Sequence, residues 1–214
     1  NFGIASTFSF YVGHHMSTIE GGMVCTDDKE IDTMLRIVRS HGWDRHLTKS
    51  EQDELRKKFK VDDFYGKYTF YDIGYNLRPT EIQGFLGSDQ LKYLNRIVNK
   101  REQNYKKLSK IFLNKDFIKL DTSKLTKASN FAFPLICKSK AVRDKYMALA
   151  EKAEIEIRPI VAGSINNQAF FAKYVSKKFL LKNAETVHND GFYFGNNPDM
   201  TEKEIKKLIK TFSK

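Results

Sequence analysis

His14 lies in the stretch Ser9-Phe10-Tyr11-Val12-Gly13-His14-His15-Met16-Ser17-Thr18-Ile19-Glu20-Gly21-Gly22. An imidazole has an unperturbed pKa of about 6.5, so it can take up and return a proton under ordinary conditions. Ser9 precedes it by five residues and carries a small hydroxyl that donates a hydrogen bond without crowding. Glu20 is followed by two glycines, which permit backbone angles closed to other residues or the tight approach of a ring. Farther along, Arg158-Pro159 offers a guanidinium, the group best suited to grip a diphosphate through paired charge-assisted hydrogen bonds. Taken singly, each has a plainer reading: a loop serine, a turn before a strand, a surface arginine.

Two further stretches add to these. Gly74-Tyr75-Asn76-Leu77-Arg78-Pro79-Thr80-Glu81 is followed by Gly87-Ser88-Asp89-Gln90-Leu91, and Arg158-Pro159-Ile160-Val161-Ala162-Gly163 is followed by Asn167-Gln168. Alone, the first is an Asx turn leading into a helix cap. In this order, however, the motifs resemble the sugar aminotransferases that use pyridoxal phosphate, the DegT/DnrJ/EryC1/StrS family. That family's cofactor segment runs Ser-Phe, three variable residues, Lys, five more residues, then Glu-Gly-Gly. Here the Ser-Phe and Glu-Gly-Gly anchors match, and His14 stands in the lysine position. An imidazole cannot condense with the cofactor aldehyde as an amine can. One branch of the family carries the same Lys-to-His exchange and removes the 3-hydroxyl of a 4-keto-6-deoxy nucleotide sugar. The Val161-Ala162-Gly163 run and the stretch Gly191 to Pro198 also resemble that branch.

The resemblance implies an α/β chain with the fold of the type I, aspartate aminotransferase-like transferases that depend on pyridoxal phosphate. It implies pyridoxal or pyridoxamine phosphate as cofactor, glutamate as amino donor, and a nucleotide sugar as substrate. It makes Ser9 and Asn76 contacts to cofactor phosphate, Asn76 reaching the neighbouring subunit, so a homodimer with shared active sites is expected. It makes His14 the base that removes a proton from the cofactor carbon bearing the amine. It places His41, Arg45 and Arg158 at the sugar or its phosphates. His188 has no motif behind it and is read as structural. The alternatives are a nucleotide-sugar 4-aminotransferase, distinguished by a stable amino sugar as product, and a noncatalytic dimerisation module.

The match begins midway through the family's pattern. The loop that binds cofactor phosphate, the aromatic that stacks on the ring and the Asp that pairs with the pyridine nitrogen do not precede Ser9. The expectation is therefore a C-terminal portion of a longer protein, and a poor catalyst on its own.

Composition agrees with this reading. With 214 residues, 41% of them hydrophobic, the chain can bury one substantial core or two small ones. No apolar run approaches the roughly 18–20 residues needed to span a bilayer, and no signal peptide is visible, so no membrane role and cytoplasmic residence are expected. The net charge of +11 comes from lysines such as Lys57-Lys58, Lys106-Lys107 and Lys206-Lys207, spread over helix-like segments as on a solvated face. Nucleic acid is not an expected partner, since no zinc-finger spacing or RNA-binding aromatic signature accompanies them. Cys25 and Cys137 read as buried structural thiols. Two distant cysteines cannot supply the four thiolates of an iron–sulfur cluster, so no metal is expected, and a GDP-linked sugar is favoured over the CDP-sugars of the cluster-bearing subtype.

The elements that must position these residues follow from periodicity. Gly21–Thr26 reads as a strand, and Asp27 or Asp28 caps a helix carrying Ile31, Met34, Leu35 and Val38 that ends near His41-Gly42. Lys49–Phe59 resembles a mobile loop insert more than a short exposed helix. Phe64–Tyr75 suits an extended segment. Thr80 with Gln83 forms a capping box that opens a long helix from Glu81 to about Leu113, in which Gly84 and Gly87 suggest close approach of another backbone. Beyond it, strands are expected over 117–120, 130–137 and 191–195. Helices are expected over 138–153, 183–189 and from the Thr201/Glu204 cap to Phe212. The resulting domains are 1–114, the remnant of a large cofactor-binding domain, and 115–214, a small α/β domain.

Overall fold

The structure, a computed structural model, describes residues 3–213, and the chain divides into two units, Asn1–Lys92 and Tyr93–Lys214. In the first unit, β1 (Ala5–Ser9) and β2 (Gly22–Thr26) pair antiparallel with Ser9 opposite Gly22 and Ala5 opposite Thr26. Helix α1 (Lys29–Val38) starts at Asp28, whose carboxylate accepts from the backbone N–H of Glu30 at 2.9 Å and Ile31 at 3.0 Å. Such a cap satisfies donors that the first helical turn leaves unpaired.

Lys49–Phe59 is a helix, α2, and not a loop. Thr48 and Glu51 close a capping box at its start, and Lys60 ends it in the left-handed conformation. None of its residues is fully buried, which is why no apolar stripe announces it. The segment Phe64–Tyr75 is not extended throughout: it opens with a 3₁₀ turn, Tyr65–Tyr68, and then makes only isolated bridges. The helix expected from Glu81 to Leu113 is two helices, α3 (Glu81–Leu91) and α4 (Leu94–Leu108), followed by a 3₁₀ turn, Ser109–Leu113. The unit boundary therefore falls at Lys92 and Tyr93, ahead of the expected residue 114. Arg101, Asn104, Tyr105 and Leu108 of α4 are buried within the second unit, so α4 belongs to that core.

The second unit holds a three-stranded antiparallel sheet in the order β3 (Ala132–Ile136), β5 (Gly191–Gly195), β4 (Arg158–Pro159). Pro134 is tolerated because β3 is an edge strand and one side of it needs no donor. Alternate residues point inward: Phe133 and Leu135 on β3, Phe192 and Phe194 on β5. Helices α5 (Lys140–Lys152), α7 (Lys182–Asp190) and α8 (Glu202–Phe212) complete the unit, with the single turn α6 (Phe171–Tyr174). Helix α8 begins at the Thr201/Glu204 capping box and presents Ile205, Leu208 and Phe212 at helical spacing to the core. Four aromatic rings form the centre: Phe133 stacks on Phe194 at 5.3 Å, Phe194 on Phe212 at 5.4 Å, and Tyr105 tilts against Phe133 at 5.2 Å.

Cys137 is fully buried in that core, and burial pushes its thiol up to about 12. Cys25 differs from expectation: it is only half-buried, on the short two-stranded sheet. Among the described residues no helix is long and apolar enough to cross a membrane, and no group of three or more His, Cys, Asp or Glu could hold a metal ion.

Candidate functional site

The β1–β2 hairpin carries Ser9 and His14 because its connection, residues 10–21, is closed at both ends. Phe10 N–H donates to the Gly21 carbonyl at 2.9 Å, and Thr18 N–H to the Phe10 carbonyl at 2.9 Å. Within the loop, His14 N–H donates to the Tyr11 carbonyl at 3.0 Å, and the His14 ring meets Tyr11 edge-on at 6.2 Å. The Nδ1 atom of His14 is buried. Ser9 is exposed at the end of β1, and its Oγ accepts from Tyr11 N–H at 3.4 Å.

The two glycines after Glu20 have a steric cause. Gly21 has φ of +153°, and a Cβ there would stand 2.4 Å from Thr18 Oγ1, itself buried and donating to the Glu20 carbonyl at 2.8 Å. Ile19 takes the left-handed region at φ 71°, a strained setting for a β-branched residue that the flanking hydrogen bonds impose. Gln83 ties this loop to α3: its Nε2 donates to the Glu20 carbonyl at 2.8 Å while its Oε1 completes the Thr80 capping box.

A second cluster forms where α1 ends. His41, at φ 61°, donates its N–H to the Tyr75 carbonyl at 2.8 Å; Tyr75 N–H donates to the Val38 carbonyl at 2.7 Å and Leu77 N–H to the Arg39 carbonyl at 2.9 Å. Ser40 and Asn76 thereby form a bridge, with Asn76 exposed. The two backbones touch so closely that only glycine fits. A Cβ on Gly42 would lie 1.9 Å from the Asp72 carbonyl oxygen, and one on Gly74 would lie 2.2 Å from Gly42 N. Trp43 follows, edge-on to His41 at 4.8 Å. Arg45 stacks its guanidinium over Trp43 at 3.9 Å and Tyr68 at 4.6 Å, and donates from Nε and Nη2 to the Lys67 carbonyl at 3.2 and 2.7 Å. His46 is held below its ordinary value by partial desolvation and by the charges of Arg39, Arg78 and Arg45. The chain thus gathers His41, Arg45 and Asn76 with Arg39, His46 and Arg78 into a cationic surface suited to a polyanion. Sequence reasoning gives neither Arg39 nor Arg78 a role: Arg39 lies in no motif, and Arg78 lies within the Gly74–Glu81 stretch with no part assigned to it.

Arg158 belongs to the second unit. It pairs with Tyr193 across the β4–β5 ladder, and its guanidinium contacts Glu156 at 2.9 and 2.5 Å. It lines a cavity of about 670 Å³ together with Ala162, Gln168, His188 and Tyr193. The loop that forms one wall is tightly specified. Gln168 Nε2 donates to the Ala162 carbonyl at 2.7 Å, Ala162 and Gly163 have φ of 62° and 51°, and a Cβ on Gly163 would meet His188 Nδ1 at 2.4 Å. His188, read from sequence as structural, therefore packs on this loop and faces the same cavity as Arg158. Only its position on a short helix beside a Gly-containing loop hinted at this.

The model of the DegT/DnrJ/EryC1/StrS aminotransferase family matches residues 1–213. The chain is 36% identical over 214 residues to GDP-4-keto-6-deoxy-D-mannose 3-dehydratase of Escherichia coli O55:H7, covering 97% of this chain and 54% of that protein. It is 31% identical over 217 residues to the protein of the same name from Yersinia pseudotuberculosis, covering 100% and 54%. The solved structure of GDP-4-keto-6-deoxymannose-3-dehydratase with a trapped PLP-glutamate geminal diamine superposes with a TM-score of 0.85 at 31% identity, covering 99% of this chain and 55% of that one. The fold is thus that of the aminotransferase-like enzymes, and the chain spans about half the length of the relatives it matches. With the model matched over nearly every residue, the chain belongs to the DegT/DnrJ/EryC1/StrS aminotransferase family.

Proposed function

We propose that the chain is the His14-bearing part of a nucleotide-sugar 3-dehydratase. The reaction removes the 3-hydroxyl from a GDP-linked 4-keto-6-deoxyhexose with pyridoxal or pyridoxamine phosphate, on the way to deoxysugars of lipopolysaccharide. The single observation that carries this reading is His14 in the hairpin loop, at the position that the resembled family pattern gives to a lysine. The loop 10–21 contains no lysine at all. Its donors fit a phosphorylated cofactor that is held without a covalent bond: a hydroxyl on Ser9 at the sheet end and an imidazole on His14. When bound, that cofactor would supply the amine that condenses with the C4 ketone and the ring that takes up electrons as the hydroxyl leaves.

The chain's own residues divide the remaining work. Ser9 Oγ donates to the cofactor phosphate, and Asn76 donates to the phosphate held by a second copy in a homodimer. His14 moves the proton. Its Nδ1 is already covered by protein, so Nε2 is the nitrogen that accepts. Water then hydrolyses the C4–nitrogen bond, so the nitrogen leaves as ammonia and the product keeps its ketone. In the first unit Arg45 and His41, in their cationic setting, are nucleotide-sugar contacts; Arg158 of the second unit, in its own cavity, is taken separately as another. Glutamate restores the amine form between turnovers. No segment of this scheme requires a membrane or nucleic acid, and the cytoplasm is its expected place.

The test is product analysis by mass spectrometry with the protein, a GDP-4-keto-6-deoxyhexose, cofactor and glutamate. Loss of the 3-hydroxyl with retention of a ketone is expected. A stable 4-amino sugar as the main product would show an aminotransferase instead.

A further inference from the structure

Asp44, between Trp43 and Arg45, is fully buried, with its Oδ2 at 2.8 Å from Arg56 Nε and 3.4 Å from the Tyr71 hydroxyl. A buried carboxylate is stable only where a cation and further donors satisfy it. Arg56 comes from α2, which buries none of its residues fully, so an apolar face contributes little to docking that helix. Phe59 against Tyr71 at 5.6 Å and Gln52 Nε2 to the Leu47 carbonyl at 3.0 Å are among its other ties.

Arg56 reaches both sides of the clamp that displays Arg45. On one side it fixes Asp44, and a carboxylate pinned inward leaves the next side chain, Arg45, directed outward. On the other side its Nη1 donates to Asp63 Oδ1 at 2.9 Å, at the approach to the 3₁₀ turn that supplies Lys67 and Tyr68. Gly66 in that turn lies against the guanidinium so closely that a Cβ would stand 2.7 Å from Arg56 Nε. Trp43 and Tyr68, the aromatic walls around Arg45, are thus each one or a few residues from a group that Arg56 holds.

We propose that Arg56 is a positioning residue: through Asp44 and Asp63 it fixes the two walls that present the Arg45 guanidinium to the phosphates of an anionic ligand. The helical insert α2 is the strap that delivers it. This rests on the reading of Arg45 as a phosphate contact, and the test separates the two.

The intact chain is titrated with GDP by calorimetry in a double-mutant cycle of Arg45→Met, Arg56→Met and the pair. Loss of a charge-assisted phosphate contact should weaken GDP by about 10- to 100-fold in Arg45→Met. Arg56→Met should weaken it by about tenfold, yet by less than twofold when Arg45 is already methionine. Equal effects of Arg56→Met in both backgrounds, or no effect in either, would overturn the proposal. Because Arg56→Met leaves Asp44 buried without its cation, the Asp44→Asn/Arg56→Met pair serves as a second variant, with circular dichroism confirming the fold. It should show the same loss. If GDP affinity does not depend on Arg45, the phosphate reading fails, and the strap is judged on Trp43 alone. Trp43 is the chain's single tryptophan, so acrylamide quenching reports on the clamp without any ligand. Quenching should rise in the Asp44→Asn/Arg56→Met pair and stay unchanged in the cap variant Thr48→Ala. Unchanged quenching in the pair would reject the positioning role.

Discussion

Replacing His14 by asparagine in the full-length protein is expected to slow dehydration by about 10²- to 10⁴-fold, the usual contribution of a positioned general base. Asparagine keeps the approximate size and can still hydrogen-bond, but it cannot accept a proton near neutrality. Affinity for the nucleotide sugar should change little, so the loss falls on kcat and not on KM. His14→Lys is the sharper variant. It returns to the loop the amine that residues 10–21 lack, and dehydration should weaken while transamination to a stable amino sugar gains. Steady-state assays with mass spectrometry of the products check both substitutions. Full-rate dehydration by His14→Lys would remove the assigned role.

The largest stability effect should come from Phe133→Ala in the second unit, at about 3–5 kcal/mol. Phe133 is 0% exposed and touches Tyr105, Phe112 and Phe194 with ring centroids 5.2–5.3 Å away. It sits on an edge strand, yet its ring is at the junction of the sheet, α4 and the turn that follows α4, so the hole it leaves is walled by rigid aromatic groups and collapses poorly. A control on the same unit, Leu180→Ala, removes a side chain that is 98% exposed and should cost less than about 0.5 kcal/mol. Urea denaturation followed by circular dichroism measures both. Because the chain has two compact units, two transitions are to be looked for, and Phe133→Ala should shift only one of them. A cost near that of Leu180→Ala would mean that the aromatic centre is not where the second unit draws its stability.

Much of this was legible because local chemistry and tertiary role coincide. The Asp28 cap, the Thr80/Gln83 and Thr201/Glu204 boxes, β5 and helices α5 and α8 all combine a recognisable start with an apolar period that the core then uses. The helix α2 escaped for the opposite reason. Its capping box, Thr48 with Glu51, is present in the sequence, but no apolar stripe follows it, and what docks it is an ion pair between residues 44 and 56 that no periodicity can reveal. The break at Lys92 and Tyr93 escaped because no glycine or proline stands between Ser88 and Leu108 to mark it, while only α4 contributes to the second core. The glycines of α3 misled: a Cβ on Gly84 would meet nothing within 4 Å among the described residues, and one on Gly87 would meet only the Thr18 methyl at 3.4 Å. Gly42 and Gly74, which do mediate a backbone contact, lie outside any helix.

At the site, the residues carried by motifs fall into two groups in the first unit, Ser9 with His14 on the hairpin and His41, Arg45 and Asn76 beside the end of α1. Their spacing was readable; their partners were not. Arg39, Arg78 and Arg56 act through space on residues distant in sequence, and His188 reaches the Arg158 cavity only because Gly163 lets its ring approach.

Whether His14 has replaced an attaching amine is tested most directly by titrating the chain with pyridoxal phosphate, following absorbance, then reducing with borohydride and mapping the product by mass spectrometry. Reversible binding that leaves no cofactor on any lysine after reduction is the expected result. A specific, stoichiometric lysine adduct would contradict it, since an amine elsewhere in the chain would then be doing what residues 10–21 cannot.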